Sequence, residues 1–320
     1  MRPLFCLWCE AASPLVDCAG RQSGVGLRLV DGAPGGTRAG GGNGGALEDS
    51  GVRGSAPGAS ISRMTLAETA LKRDRATVGF ALALITLLAW GYTVTLARTM
   101  GLSGGDLAMP QLHAWSAATF AFMLVMWAVM MVAMMLPSAA PMILTFAAVQ
   151  RHRQAQGGAF IPTGVFLAGY LIVWALFSLL ATTAQYGLER AALLSPMMQT
   201  TAPWLGAALL VGAGVFQFAP LKDACLAKCR SPMGFIMTEW RDGVRGALVM
   251  GLRHGTFCAG CCWALMALLF VGGVMNLLWV AFIALFVLIE KVVPAGGRLG
   301  KVGGVVLVAW GAWIALRAAL

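Results

Sequence analysis

The sequence predicts an all-α protein, a polytopic transmembrane helix bundle of about seven spans, or six if one apolar segment is re-entrant. Three observations carry that prediction. Apolar residues make up 59% of the 320 positions and charged residues only 11%, a balance wrong for a soluble domain. Several apolar runs reach the roughly 20 residues that a helix needs to cross the hydrocarbon core. The basic residues behind the net charge of +10 fall mostly in short segments between those runs, where they set orientation. That placement excludes nucleic acid as a partner and leaves membrane lipid.

Residues 1–63 differ from the rest. Gly, Ser and Pro dominate "DGAPGGTRAGGGNGG" from Asp31, with too little apolar surface to build a core, so a disordered Gly-rich tail is expected. The opening "MRPLFCLWCE" is a poor signal peptide, because Glu10 interrupts a very short apolar run. A start at Met64 would put the whole tail upstream of the helix bundle, which then occupies 64–320. Cys6, Cys9 and Cys18 accordingly carry no functional weight.

Seven apolar segments follow in order, at about 77–97, 116–136, 162–183, 202–220, 254–273, 276–293 and 303–319. Lys72, Arg73 and Arg75 precede the first; Arg151 and Arg153 follow the second. A basic set from Lys222 to Arg253 divides the fourth from the fifth, and Lys291, Arg298 and Lys301 divide the sixth from the seventh. The positive-inside rule then gives a multi-pass protein of the cytoplasmic membrane, its amino end cytoplasmic and its carboxyl end outside. The chain has no HExxH, no nucleophile elbow, no phosphate loop and no visible internal repeat.

The most unusual stretch is "GLRHGTFCAGCCW", Gly251–Trp263, which is expected to open the fifth span. His254, Cys258 and Cys261 are spaced i, i+4, i+7 and share one face of a helix, with Cys262 at its edge. Gly251 and Gly255 form a small-xxx-small pair that lets a neighbouring helix approach. "CLAKC" places Cys225 and Cys229 in the preceding loop, from which they can fold in. On the cytoplasmic side thiols stay reduced, so this gathering of thiols and an imidazole is a metal-ligand set or a redox set. Buried small residues that merely pack would give the same composition.

The second span adds soft ligands. Met123, Met126, Met130 and Met134 make one continuous stripe of roughly 16 Å at 1.5 Å per residue. Met131 and Met135 form a second stripe beside it. Thioethers bind Cu(I) without burying an anion and serve zinc poorly, so together with the thiols they favour copper, although methionine is also a common gap-filler. Pro137 and Pro141 should kink this span, and the carbonyls they free, with Ser138, would line a polar spot. Glu290 closes the sixth span as an acid at membrane depth, a proton carrier or counter-charge unless Lys291 simply pairs with it. "EWRDG", Glu239–Gly243, reads as solvated loop, and His113 and His152 as surface.

"AMMLPSAAPM", "PLKDACLAKCRSP" and the run from "GLRHGTFCAGCC" to "LIEK" resemble a bacterial family of predicted metal-binding integral membrane proteins. That family, formerly a domain of unknown function, is associated by name with copper supply to polyphenol oxidase. The resemblance covers about residues 75–320. It implies metal handling by Cys225, Cys229, His254, Cys258, Cys261 and Cys262, and draws attention to Met134, Met135 and Glu290.

Three functional readings follow. The first is a non-enzymatic transporter or metallochaperone of the bacterial cytoplasmic membrane, holding Cu(I) and meeting a cuproenzyme or a soluble copper chaperone. The second is a membrane thiol-disulfide oxidoreductase using the Cys258/Cys261 pair. The third is an assembly or anchoring subunit whose cysteines only pack.

Overall fold

The computed structural model describes residues 57–102, 115–195 and 198–320. The expected tail lies almost wholly outside them, as do Cys6, Cys9, Cys18 and His113. Residues 66–320 form one compact unit, which holds every candidate site residue.

Apart from one isolated bridge between Leu194 and Thr200, the regular structure of the described residues is helical. In chain order the helices are α1 (Pro57–Leu102), α2 (Ala117–Ala155), α3 (Thr163–Arg190), α4 (Pro203–Phe216) and α5 (Pro220–Arg230). They continue with α6 (Pro232–Glu239), α7 (Gly243–Ala267), α8 (Leu269–Gly272), α9 (Leu277–Val292) and α10 (Gly296–Ala319). Their starts follow local chemistry. Ser116 caps α2, its hydroxyl accepting the Thr119 N–H at 3.1 Å, and Asn276 caps α9 through the Trp279 N–H at 3.3 Å. Proline opens α4, α5 and α6, where a missing N–H costs nothing.

Five helical stretches are long and apolar enough to cross a membrane: Arg75–Thr99 of α1, α2, α3, α7 with α8, and α10. A sixth arises only if α4 and α5, bent by 64° at their junction, count as one span. The expected seven is therefore not met. The segment around 276–293 folds as α9, whose 16 residues extend only ~24 Å, short of the ~30 Å core. Gly273, at φ 90, turns the chain before it, and Pro294 follows its last turn. The turn falls where the sequence reading separates 254–273 from 276–293, at "GGVMN".

Two helix pairs approach most closely, α3 with α7 and α4 with α10, and both do so through glycine. A Cβ on Gly251 would run into the Phe166 carbonyl, and one on Gly169 into the backbone of Leu248. Gly255 lies under Val173. The Gly251/Gly255 expectation is thus realised as backbone-to-backbone contact. In the second pair, Gly214 meets Gly304.

The outer faces are apolar: Phe80, Leu87 and Leu88 of α1 and Val302, Val305 and Val306 of α10 are all exposed, as suits a lipid surround. Three of the four basic segments expected to share one side touch each other. Arg153 pairs with Asp242 at 3.0 Å, Arg230 donates to the Val293 carbonyl at 2.9 Å, and Lys301 stands 3.8 Å from Asp223.

Gly251→Leu should force α3 and α7 apart and cost about 3 kcal/mol or more, since the obstruction is backbone. Gly212→Ala, with nothing within 4 Å of the new methyl, should leave stability unchanged or slightly raised. Thermal unfolding in detergent, followed by circular dichroism, distinguishes the two.

Candidate metal centre

The site is built on the buried face of α7. Met250, His254, Cys258, Cys261 and Cys262 are all buried there, as the helical spacing requires. The helix begins at Gly243 rather than near 254, so Cys258 lies ~22 Å along its axis, inside the span and not at its opening. Arg245 and Arg253 lower the hydropathy of the first turns and hide this start in the sequence. Arg253 is held by Glu239, which is buried and ion-paired rather than part of a solvated loop.

The "CLAKC" segment is likewise not a loop. It lies within α5, whose buried stripe of Lys222, Cys225 and Leu226 faces the bundle, with Cys229 half-buried one turn on. The Cys225 sulfur packs on Gly260, where a Cβ would stand 3.0 Å from it. Cys229 lies near enough to the Cys258 and Cys261 thiols to interact with them. On α7 itself, the Cys261 and Cys262 thiols donate to the Cys258 carbonyl at 3.1 and 3.0 Å. Cys262 also meets the Met135 sulfur at 3.8 Å. Four thiols and one thioether therefore adjoin, and every described cysteine is free.

Not all the predicted ligands join them. His254 sits among the rings of Phe166, Tyr170 and Phe235, at centroid distances of 6.1, 5.5 and 5.6 Å. Neither of its ring nitrogens has a hydrogen-bond partner there, an expensive state for a buried imidazole. Among the described residues no three His, Cys, Asp or Glu side chains are set as a ready metal cage. The cation that touches the sulfur is instead Lys291, whose Nζ stands 2.9 Å from Cys258 Sγ and 3.3 Å from Ser138 Oγ.

Helix α2 runs through Pro137 and Pro141 as one helix. The Ala133 carbonyl, which the missing N–H of Pro137 would have satisfied, accepts from Trp90 Nε1 at 3.0 Å. The Met135 carbonyl accepts from Ser138 Oγ at 2.8 Å and from Tyr170 OH at 3.1 Å. Tyr170 OH is also 3.2 Å from Cys258 Sγ. Met123, Met126, Met130, Met134 and Met135 are all buried, so none is a lipid-facing filler. Met126 and Met130 line a narrow cleft against Tyr92 and Leu96 of α1. Met135, from the second stripe, is the one that reaches the thiols.

Similarity decides the family. The residues 124–314 match the family PpoB2, described as a copper chaperone. The chain belongs to the PpoB2 copper chaperone family. The match begins within α2 and ends within α10, so it spans all six thiol and imidazole candidates and Glu290. No curated protein and no solved structure matches the chain. The soft donors gathered around Cys258 are consistent with a PpoB2 protein's copper handling.

Glu290 does not pair with its neighbour. Buried, it accepts from Lys222 Nζ at 2.5 Å, and Lys222 also bonds Gln217 at the α4–α5 junction. Lys291 turns the other way, to Cys258. Sequence reasoning missed Lys222, Tyr170 and Lys291. For Lys222 a signal existed, since it precedes Cys225 and Cys229 at i, i+3, i+7 once "PLKDACLAKC" is read as a helix. For the other two none did.

Lys222→Met should leave Glu290 buried without its counter-charge and cost about 3–5 kcal/mol. Replacing both, as Lys222→Met with Glu290→Leu, should recover most of that loss. Chemical unfolding in detergent reads both, and a double variant no better than the single would contradict the pairing.

Proposed function

We propose that the protein is a membrane-embedded Cu(I) chaperone that holds the ion among the thiols of α5 and α7 and exchanges it with a cuproenzyme or a soluble copper carrier. The carrying observation is the gathering of the Cys229, Cys258, Cys261 and Cys262 thiols, the last in contact with the Met135 thioether, beside an imidazole whose nitrogens have no protein partner. Cu(I) is satisfied by as few as about two soft ligands, so it needs no preformed cage of three groups. His254 is the ligand in reserve, able to join after a small ring rotation. The Lys291 ammonium supplies positive charge next to Cys258.

Charge favours copper over zinc. A fixed ammonium beside the thiols repels a divalent ion about twice as strongly as a monovalent one at the same distance. Thioether sulfur also serves zinc poorly. In this reading the buried methionines from Met123 to Met135 carry the ion along α2, and the touching basic segments mark the cytoplasmic end of the bundle. Cys258 and Cys261, each only 1% exposed, offer no surface to a thiol partner, which weighs against the oxidoreductase reading.

The test is elemental analysis of the protein purified anaerobically without added reductant and washed with a Cu(I) chelator. About one copper per chain is expected, no zinc, and loss of the copper when Cys258→Ser and Cys261→Ser are combined with His254→Ala. A wild-type chain that holds no metal but shows a titratable disulfide would overturn the proposal.

A further inference from the structure

At the other end of α2, three electron-rich atoms converge on one point. Gln185 Nε2 stands 2.8 Å from Glu189 Oε1, 3.4 Å from Met198 Sδ and 3.7 Å from Met123 Sδ. An amide nitrogen has two protons, so one of the three acceptors is always underserved. The orientation of the amide is not in doubt, because its oxygen accepts from Trp127 Nε1 at 2.8 Å and the reverse placement would set two oxygens against each other. Gln185, Met123 and Met198 are buried, at 0, 4 and 6% exposure, whereas Glu189 is half-buried and reaches the edge.

No cationic side chain among the described residues pairs with Glu189. Among the described residues the partners of Glu189 are two uncharged donors, Gln185 Nε2 and Trp115 Nε1, the latter at 2.9 Å from its second oxygen. A carboxylate beside two thioethers lacks one positive charge, and sulfur selects a soft ion to supply it. We propose that Met123, Met198 and Glu189 form a second site for a soft monovalent cation, Cu(I), closed in the metal-free chain by the Gln185 amide. On entry of the ion the Gln185 nitrogen swings off the convergence point, and Glu189 at the rim is the first group an arriving cation meets. The site stands at the end of the methionine stripe remote from Cys258. It gives the stripe an entrance or exit of its own and deepens the copper reading, on which its choice of ion rests.

Two thioethers and a carboxylate bind Cu(I) more weakly than thiolates, so the site is read by anaerobic Cu(I) titration against a weak competitor, not by copper retained on purification. Wild type should take up a second, weaker equivalent. Cys258→Ser with Cys261→Ser should lose the tight equivalent and keep the weak one. Met123→Leu with Met198→Leu, a volume-conserving pair, should do the reverse. Glu189→Gln, which keeps the shape, should weaken only the second equivalent, by about tenfold, and decides the matter should the double Leu variant fail to fold. Loss of all Cu(I) in the cysteine variant, or an unchanged weak equivalent in folded Glu189→Gln, overturns this inference and leaves the thiol site standing. Loss in the methionine variant alone overturns the thiol site instead, and a wild type that takes up none overturns both.

Discussion

Glu290 and Lys291 are neighbours on α9 and carry opposite charges into an apolar bundle, and the architecture around them answers each charge separately. A buried ion without a partner costs several kcal/mol, so a fold that keeps both must bring something to each. Lys222 comes to Glu290 from α5, with Gln217 behind it, and Cys258 and Ser138 come to Lys291 from α7 and α2. On α10, Gly300 carries no side chain where Glu290 Oε1 lies. One dipeptide thereby ties together α2, α5, α7 and α10. The same stripe of α5 that delivers Lys222 delivers Cys225 and Cys229, which is why the thiols of a polar, bent segment arrive beside those of a membrane-length helix.

The second framework is the glycine contact between α3 and α7. With Gly169 and Gly251 in backbone contact, Tyr170 is carried to both the Met135 carbonyl and the Cys258 sulfur. Its ring, with those of Phe166 and Phe235, encloses His254. Helix α2 contributes from the opposite direction. Its two prolines cost backbone hydrogen bonds, and the structure meets the Ala133 carbonyl with the indole of Trp90 from α1. Of the buried polar side chains, Ser138, Gln217, Lys222, His254, Glu290 and Lys291 gather at the sulfur cluster or the network beside it, while Gln150, Ser178, Thr182, Gln185 and Glu239 lie elsewhere.

For a PpoB2 protein this arrangement has a clear chemical logic. Thiols and thioethers are large, polarisable and partly apolar, so they can be stored in a hydrocarbon-like interior at little cost when empty. A monovalent ion adds only one charge to that interior. Lysine at the thiol end and carboxylate at the Glu189 end then give the two ends of the methionine stripe opposite charges, an asymmetry that a row of methionines by itself would lack.

Much of the architecture was legible beforehand because it follows from local periodicity. The apolar runs, the one-face spacing of His254, Cys258 and Cys261, the Gly251/Gly255 contact and the methionine stripe all depend on 3.6 residues per turn and nothing more. The span count was not: the break at Gly273 was legible, but hydropathy reveals neither how short α9 is nor the bend between α4 and α5. The start of α7 was obscured by Arg253, whose charge is cancelled by a residue outside the run. The partners of Glu290 and Lys291, the aromatic enclosure of His254 and the meeting of Met123 with Met198 join positions far apart in the chain. Composition and spacing determined that soft ligands line helices in an apolar bundle. Only the tertiary structure decided which of them touch, because charge pairing and close packing are satisfied between helices and leave no period in the sequence.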